Sequence, residues 1–252
     1  MEELKKITSF LDRHLSIEDF KDRSYNGLQV EGNSDVKKIL FAVDAGLDTF
    51  RKALELKAEM IVVHHGLLWD GADPRIKDTH KERIDFLLRN KISLYAAHLP
   101  LDAHFDSGNN VMLLKLLGAK IRRDFHDYHG KKIGWIGEFK PPMAVKEIDI
   151  RLSSELGAKC TTLAFGREFA RTVAVVSGGG GYSAFYDAVN EGCDIFITGD
   201  TVELYHSAKD ENMNVIFAGH HATEILGVKE LSNVIKKKFK VDSIFHDIPT
   251  GL

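Results

Sequence analysis

Short apolar segments alternate with helical stretches of about ten to fifteen residues along most of this chain. Apolar strands alternating with helices of this length are typical of βαβ units, in which successive strands lie parallel in one sheet. The pattern therefore predicts an α/β fold with a largely parallel sheet. Strands are predicted near residues 38–43, 60–64, 93–97, 132–139, 171–177, 194–198, 214–218 and 243–245, and a last helix carries Ile225, Val228, Leu231 and Ile235 at helical spacing.

An internal repeat suggests two halves. The strand, helix and strand of residues 43–65 are similar to those of residues 176–200, and both following strands end in His with a carboxylate four residues later, Asp102 or Glu224. Chance similarity of two βαβ units is the alternative, but the repeated spacing of His and carboxylate argues against it. We expect a duplicated α/β fold with halves 1–125 and 126–252 and a site between them, the last helix and strand packing back on the first half.

Histidines follow three of the predicted strands, at His64-His65, His98 and His220-His221. In open α/β sheets, ligands bind beyond the carboxyl ends of the strands, where side chains distant in sequence converge. A lone His after a strand is more often structural, but three such sites with a neighbouring His or carboxylate favour a metal site. Imidazole and carboxylate ligands together suit Zn, Fe, Mn or Ni, and the sequence does not choose among them.

The adjacent residues His64 and His65 raise a geometric question. A regular strand would direct them to opposite faces. They can serve one cleft only if the backbone leaves strand geometry there, which Gly66 permits.

Composition and charge restrict the class of protein. Hydrophobic residues make up 44% of the 252 residues, enough for a large core, and a formal net charge of -3 gives no general attraction to nucleic acid or anionic membranes. Neither a signal peptide nor a membrane-spanning segment is recognisable, and the two cysteines, Cys160 and Cys193, do not suggest a disulfide framework. We expect a cytoplasmic protein with no membrane partner.

A glycine run follows the strand near residues 171–177 and precedes a predicted helix. The backbone N–H groups of this run could bind a phosphate, with Gly178, Gly179, Gly180 and Ser183 as candidates. The run lacks the lysine and the spacing of a P-loop, so a tight turn with a serine N-cap is an equally good interpretation.

Several spaced motifs carry a resemblance that covers nearly the whole chain. They are His64-His65-Gly66, His98-Leu99-Pro100-Leu101-Asp102-Ala103-His104, Gly219-His220-His221-Ala222-Thr223-Glu224, residues 26–32, Ser107-Gly108-Asn109-Asn110 and Thr198-Gly199-Asp200. In these motifs the chain closely resembles the Nif3-like family, whose members are named GTP cyclohydrolase 1 type 2 homologues. Where many members carry Glu after Thr-Gly, this chain has the shorter Asp200.

The resemblance implies a fold, a cofactor and an assembly. The fold would be a duplicated three-layer α/β/α Nif3-like fold with a di-metal site between the two halves. Two divalent metal ions per chain would be held by His64, His65, Asp102, His220 and Glu224. The assembly would be a toroidal homohexamer with the metal sites facing an inner cavity.

Hydrolysis is the reaction that a metal pair suits best, because it generates hydroxide at neutral pH. We expect a metal-dependent hydrolase of cyclohydrolase type acting on a nucleotide-like substrate. Glu224 or Asp102 would bridge the two ions. The catalytic candidates that move protons are His98, His206 and His221.

Two alternatives remain open. The basic run Lys236-Lys237-Lys238-Phe239-Lys240 is usually a solvated helix end, but six copies in a ring could bind DNA without strong sequence preference. The other alternative is a metal-dependent scaffold without turnover.

Overall fold

The computed structural model describes residues 1–252 and shows a mixed α/β protein of two compact units. The first unit contains Met1–Leu101 and Val228–Ile248, and the second contains Asp102–Gly227 and Pro249–Leu252. None of the helices combines the length and apolar composition needed to cross a bilayer.

The first unit is built on a five-stranded sheet. Its elements are β1 (Glu2–Glu3), α1 (Leu4–Leu15), a 3-10 turn (Ile17–Asp19), β2 (Gly27–Val30), β3 (Asp35–Val36), β4 (Lys38–Asp44), α2 (Leu47–Glu55), β5 (Met60–His65), α3 (Asp78–Arg89), β6 (Ser93–Ala96) and, late in the chain, β13 (Asp242–Phe245). Along the chain, helix α4 (Leu99–Ala103) begins in the first unit and ends in the second.

The strand order of this sheet is β13-β4-β5-β6-β2. The first three pairs are parallel, and only β2 runs antiparallel, at one edge. The central strands are mostly apolar and buried, with polar residues chiefly at their ends, as expected for parallel strands covered on both faces. Because these strands are parallel, β4, β5 and β6 all end at the same edge of the sheet.

The second unit is built on a six-stranded sheet. Its elements are α5 (Asn109–Leu117), β7 (Lys120–Tyr128), β8 (Lys131–Ala144), α6 (Val145–Leu156), β9 (Thr161–Ala164), β10 (Phe169–Val176), α7 (Gly181–Asn190), β11 (Ile195–Thr198), α8 (Tyr205–Asp210), β12 (Asn214–Phe217) and the start of α9 (His220–Lys238). The rest of α9 belongs to the first unit.

The strand order of this second sheet is β7-β8-β10-β11-β12-β9. Strands β10, β11 and β12 are parallel, whereas the pairs β7-β8, β8-β10 and β12-β9 are antiparallel. Side chains alternate along β10, with Val173 and Val175 in one buried cluster and Ala174 and Val176 in another, so both faces are covered.

All eight predicted strands are confirmed, each to within a few residues. The largely parallel arrangement is confirmed for the first sheet but is wrong for the second. The physical reason is the short connection at His129-Gly130, which can join β7 to β8 only as an antiparallel hairpin. An antiparallel edge strand, β9, closes the other side.

The compact units do not coincide with the predicted division between residues 125 and 126. Residues 102–125 lie in the second unit, and β7, which begins at Lys120, is paired with β8 of that unit. Asp102 is therefore a residue of the second unit. The division into repeated halves is a statement about sequence similarity and stays a prediction.

Candidate metal centre

Three histidines of the first unit lie together at the carboxyl ends of two strands: His64 and His65 are the last residues of β5, and His98 follows β6 by two residues. The ligand atoms of His64, His65 and His98 lie within 4.8 Å of one another. The rings of the adjacent pair have centroids 4.7 Å apart. The three imidazoles therefore form a group that could hold a metal ion, which we call the first-unit cluster.

Gly66 is required by space rather than by backbone conformation. A Cβ atom on this residue would fall 2.4 Å from the Gln29 amide and 2.6 Å from the Cβ of Ala96. The side-chain oxygen of Gln29, Oε1, accepts hydrogen bonds from the backbone N–H groups of Leu67 and Leu68. The chain thus turns tightly against β2 immediately after the two histidines.

Each histidine of this cluster is oriented through its Nδ1 atom. His65 Nδ1 lies 2.8 Å from Asp44 Oδ1, His98 Nδ1 lies 2.9 Å from Asp22 Oδ1, and His64 Nδ1 lies 2.9 Å from the carbonyl oxygen of Ala97. When Nδ1 carries the proton and donates it to oxygen, Nε2 carries the lone pair that binds a metal ion. The partners therefore favour the metal-binding tautomer.

Asp22 makes several hydrogen bonds besides the one with His98. Its side chain also accepts hydrogen bonds from the amide of Asn26 and from the backbone of Ser24 and Leu99. Burial raises the pKa of Asp22, but the hydrogen bonds and charge of His98 and the bond from Asn26 outweigh burial and lower the pKa to about 2. The carboxylate stays ionised at neutral pH and can stabilise positive charge on His98.

Trp69 packs against the first-unit cluster. Its ring lies edge-on to His98, with centroids 5.0 Å apart, and 6.1 Å from the ring of His65. The indole N–H donates to the carbonyl of Gly66, which fixes the ring.

A second group of polar side chains lies in the second unit at the start of α9. His220 Nε2 lies 3.2 Å from Glu224 Oε1, one helical turn later, and His220 Nδ1 lies 2.8 Å from Asp200 Oδ1. The hydrogen bond to Glu224 raises the pKa of His220, burial lowers it, and the charges of both carboxylates together with the bond to Asp200 bring it to about 9. Without a bound metal ion, the imidazole is therefore held as a cation between two carboxylates at neutral pH, and metal binding would displace this proton.

Asp102 completes this second-unit cluster. Its Oδ1 atom accepts hydrogen bonds from Asn109 Nδ2 at 2.9 Å and from Ser177 Oγ at 2.8 Å. A carboxylate oxygen of Asp102 lies within 4.8 Å of one of Glu224, and the two residues are only 6% and 2% exposed. Two buried carboxylates at this distance repel each other, so the arrangement favours a bound cation.

The glycine run lies against these carboxylates. A Cβ atom on Gly178 would fall 2.3 Å from Glu224 Oε1, and one on Gly179 would fall 2.8 Å from Asp200 Oδ2. The N–H of Gly178 donates to Thr223 Oγ1, and that of Gly180 donates to the hydroxyl of Thr198.

These contacts disfavour an anion at Gly178, Gly179, Gly180 and Ser183, because two of the N–H groups are engaged and the neighbours are negative. Anion binding there stays a prediction. The serine N-cap of the alternative interpretation is wrong, because the N-cap of α7 is Gly180 and has no side-chain cap.

The remaining catalytic candidates differ in burial. His221 is 7% exposed, and its backbone N–H donates to the carbonyl oxygen of Leu252. His206 lies exposed on α8, with its ring 5.3 Å from that of Tyr205.

Asp22 and Asp44 are partners of the histidines that the sequence patterns did not predict. The position of Asp44 in the sequence could have indicated its role, since it is the last residue of β4 and lies in register with His65. No feature of the sequence could have indicated Asp22, because it lies outside helices and strands and 76 positions before His98.

The fold and these clusters define a class of mixed α/β proteins with groups of His, Asp and Glu that are compatible with metal binding beyond their strand ends. The model of the Duf34/NIF3 (NGG1p interacting factor 3) family matches residues 2–250, and the chain belongs to this family.

Relatives and solved structures agree over the full length. A Pyrococcus horikoshii protein named GTP cyclohydrolase 1 type 2 homolog is 47% identical over 249 residues, 98% of each chain. A protein of the same name from Archaeoglobus fulgidus is 45% identical over 250 residues, 99% of each chain. The structure of protein ybgI, described as of unknown function, matches with a TM-score of 0.93 and 34% identity over 100% of both chains. A Thermus thermophilus protein matches with a TM-score of 0.87 and 38% identity, also over 100% of both.

Proposed function

We propose that the protein binds two divalent metal ions and is a metal-dependent hydrolase acting on a nucleotide-like substrate. The ligands would be the five residues that the family resemblance implies: His64, His65, Asp102, His220 and Glu224. In this proposal the fold is a duplicated three-layer α/β/α arrangement with the metal site between its halves. The name shared by the relatives supports the substrate class.

The observation that carries the proposal is the pair of buried carboxylates, Asp102 and Glu224. Each is held in place by the protein: Asp102 by Asn109 and Ser177, and Glu224 by His220. A mixed set of imidazole and carboxylate groups is the donor chemistry that Zn, Fe, Mn and Ni accept. When bound, such a metal pair would supply Lewis-acid activation of water at neutral pH.

The chain's own residues would position the reacting groups and move protons. His98 is suited to take part in proton transfer, because the Asp22 carboxylate fixes the orientation of its ring through Nδ1. Trp69 against the His98 ring limits its rotation. His206 and His221 stay candidates for proton transfer.

The test combines metal analysis with turnover. We expect Glu224→Gln, which keeps the side-chain shape and removes the charge, to lower the metal content of protein purified without added metal and to abolish hydrolysis of GTP, the first probe substrate. Glu230→Gln, farther along α9, is the matched control and should retain both. Full metal content and activity in Glu224→Gln would refute the assignment. Metal loss from Glu224→Gln, with no hydrolysis by the loaded unmodified protein, would favour the scaffold alternative.

A further inference from the structure

Asn109, the first residue of α5, connects Asp102 to the helix that carries Glu224. Its Nδ2 atom donates to Asp102 Oδ1 at 2.9 Å, and its Oδ1 atom accepts a hydrogen bond from the backbone N–H of Gly227 at 2.8 Å. Gly227 follows Glu224 in α9 by less than one helical turn. One side chain of the second unit therefore contacts both the Asp102 carboxylate and the backbone beside Glu224.

The Asn109 side chain is buried and uses both ends of its amide group. The residue is 0% exposed. A buried amide is stable only where its donor and its acceptor both have partners, and these partners are the Asp102 carboxylate and the α9 backbone. The reverse orientation of the amide would bring its oxygen against the carboxylate and its NH2 group against a backbone N–H. The orientation of the side chain is therefore fixed.

Helix α9 packs directly against Asn109 because residue 227 is glycine. A Cβ atom on Gly227 would fall 2.4 Å from Asn109 Oδ1 and 2.7 Å from the backbone nitrogen of Asn109. Gly227 lies inside α9, where glycine is a poor helix former. The close approach, and not helix formation, therefore accounts for glycine at this position.

The two carboxylates on either side of this contact repel each other. A carboxylate oxygen of Asp102 lies within 4.8 Å of one of Glu224. Without a cation, the two negative charges favour a larger separation. In a flexible site the carboxylates would move apart, and a metal ion would have to bring them back together on binding. A side chain that holds both groups in advance removes this reorganisation and raises the affinity for the ion.

We propose that Asn109 is a positioning residue of the metal centre: it fixes the separation between Asp102 and α9 and so holds the two carboxylates in place for a divalent cation. This inference rests on the proposed function for the presence of the metal ion. Asn109 is not itself a ligand and acts through Asp102 and through the position of Glu224. Loss of a partner that orients a metal ligand lowers metal affinity by about 10- to 100-fold.

The experiment uses Co²⁺ as the probe, because its visible absorption reports both binding and the arrangement of the ligands. Metal-free, full-length protein is titrated with Co²⁺ in competition with a chelator. We expect Asn109→Ala to lower the affinity for at least one bound Co²⁺ ion by about tenfold or more and to change its absorption spectrum.

Asn214→Ala is the matched control for the loss of a buried asparagine. Asn214 is 1% exposed and belongs to the same unit. Its side chain accepts a hydrogen bond from the N–H of Gly166 and donates to the carbonyl oxygen of Arg167, at the end of β12 away from His220. This variant should lose stability in urea unfolding but keep the Co²⁺ affinity and spectrum of the unmodified protein.

Gly227→Ala tests the same contact from the side of α9. Alanine is the better helix former, so the helix itself is not weakened, but the added Cβ atom would displace Asn109. We expect the Co²⁺ affinity to fall as in Asn109→Ala. Because Asn109 is retained, this variant also serves as the test if Asn109→Ala does not fold.

Unchanged Co²⁺ affinity and spectrum in the variants at Asn109 and Gly227 would overturn the proposal. An equal loss of affinity in Asn214→Ala would overturn it as well, because it would indicate a general effect of lowered stability. An unmodified protein that binds no Co²⁺ would reject the proposal together with the proposed function. Failure of the proposed function alone has a different signature: Co²⁺ binding that depends on Asn109, without hydrolysis of GTP by the metal-loaded protein.

Discussion

At the scale of single residues, each candidate histidine is defined by the oxygen that its Nδ1 atom meets. Carboxylates serve His65, His98 and His220, and a backbone carbonyl serves His64. Partners of this kind fix the ring orientation and raise the basicity of a metal ligand. The cluster in each unit is therefore organised by its own hydrogen bonds.

His220 gives a prediction for the dependence of stability on pH. Its pKa is raised from 6.5 to about 9 in the folded protein, so its contribution to stability is complete below pH 6.5 and is lost as the pH rises through about 9. About a third of the side chain is exposed, so solvent screening reduces the expected contribution to about 1–2 kcal/mol.

The measurement is urea unfolding of metal-free protein, with chelator present, from pH 6 to pH 9.5. We expect the free energy of unfolding of the unmodified protein to exceed that of His220→Gln at pH 6, and the difference to shrink towards pH 9.5. His206→Gln, at an exposed histidine, should show no such trend. Parallel curves for the unmodified protein and His220→Gln would contradict the prediction.

The residues of the candidate metal centre were only partly predictable from the sequence. The histidines and Asp102 and Glu224 could be found because they follow apolar strands. Asp22 could not, because its position depends on where an irregular segment passes His98 in three dimensions. The sequence marked the glycine run as unusual, but it did not indicate the role of the run. The sequence does not reveal that a Cβ atom on Gly178 would fall 2.3 Å from Glu224 Oε1.

At the scale of elements, the glycine run after β10 is what allows α9 to present Glu224 beside the backbone. Gly178 has φ +57°, and a side chain there would overlap the Glu224 carboxylate. The close approach leaves no room for a Cβ atom, and the left-handed backbone would add strain for any other residue.

Gly178→Ala tests this close approach. Left-handed strain should lower the free energy of unfolding by about 1–2 kcal/mol, and displacement of Glu224 should lower metal affinity by about tenfold or more. Gly192→Ala is a strain-only control, because Gly192 has φ +69° and nothing within 4 Å of a built Cβ atom. Thermal unfolding and chelator competition provide the two readouts. Equal metal affinities in the two variants would show that the contact with Glu224 is unimportant.

Eight of the thirteen strands were predictable, most of them as short apolar runs, but the edge strands β2, β7 and β9 and the strand pairing were not. The sequence near residues 132–139 indicated a strand, and nothing in it showed that β7 would pair along its length. Pairing in the second sheet depends on the short turn before Lys131 and on which strand covers the edge beside β12.

At the scale of the whole molecule, α4 and α9 each belong to both compact units. His220 and Glu224 stand in the part of α9 that belongs to the second unit, and Val228, Leu231 and Ile235 are core residues in the part that belongs to the first. The division between the two units therefore falls inside helices and not in loops.

The resemblance predicts a ring of six copies, and light scattering during size-exclusion chromatography checks it. We expect a mass six times that of the 28.2 kDa chain. A mass of one or two chains would contradict the ring and also the DNA-binding alternative that needs it. If the ring forms, DNA binding that falls steeply with salt and survives loss of His64 would favour that alternative.

Trp69 gives the first-unit cluster an optical signal of its own. The chain has two tryptophans, and the other, Trp135, donates to the carbonyl of Ala103 in the second unit. With its indole 5.0 Å from the His98 ring, Trp69 lies where a paramagnetic ion on the neighbouring imidazoles would quench its fluorescence. Emission from a Trp135→Phe protein would then report loading of this cluster during a titration, without any added dye.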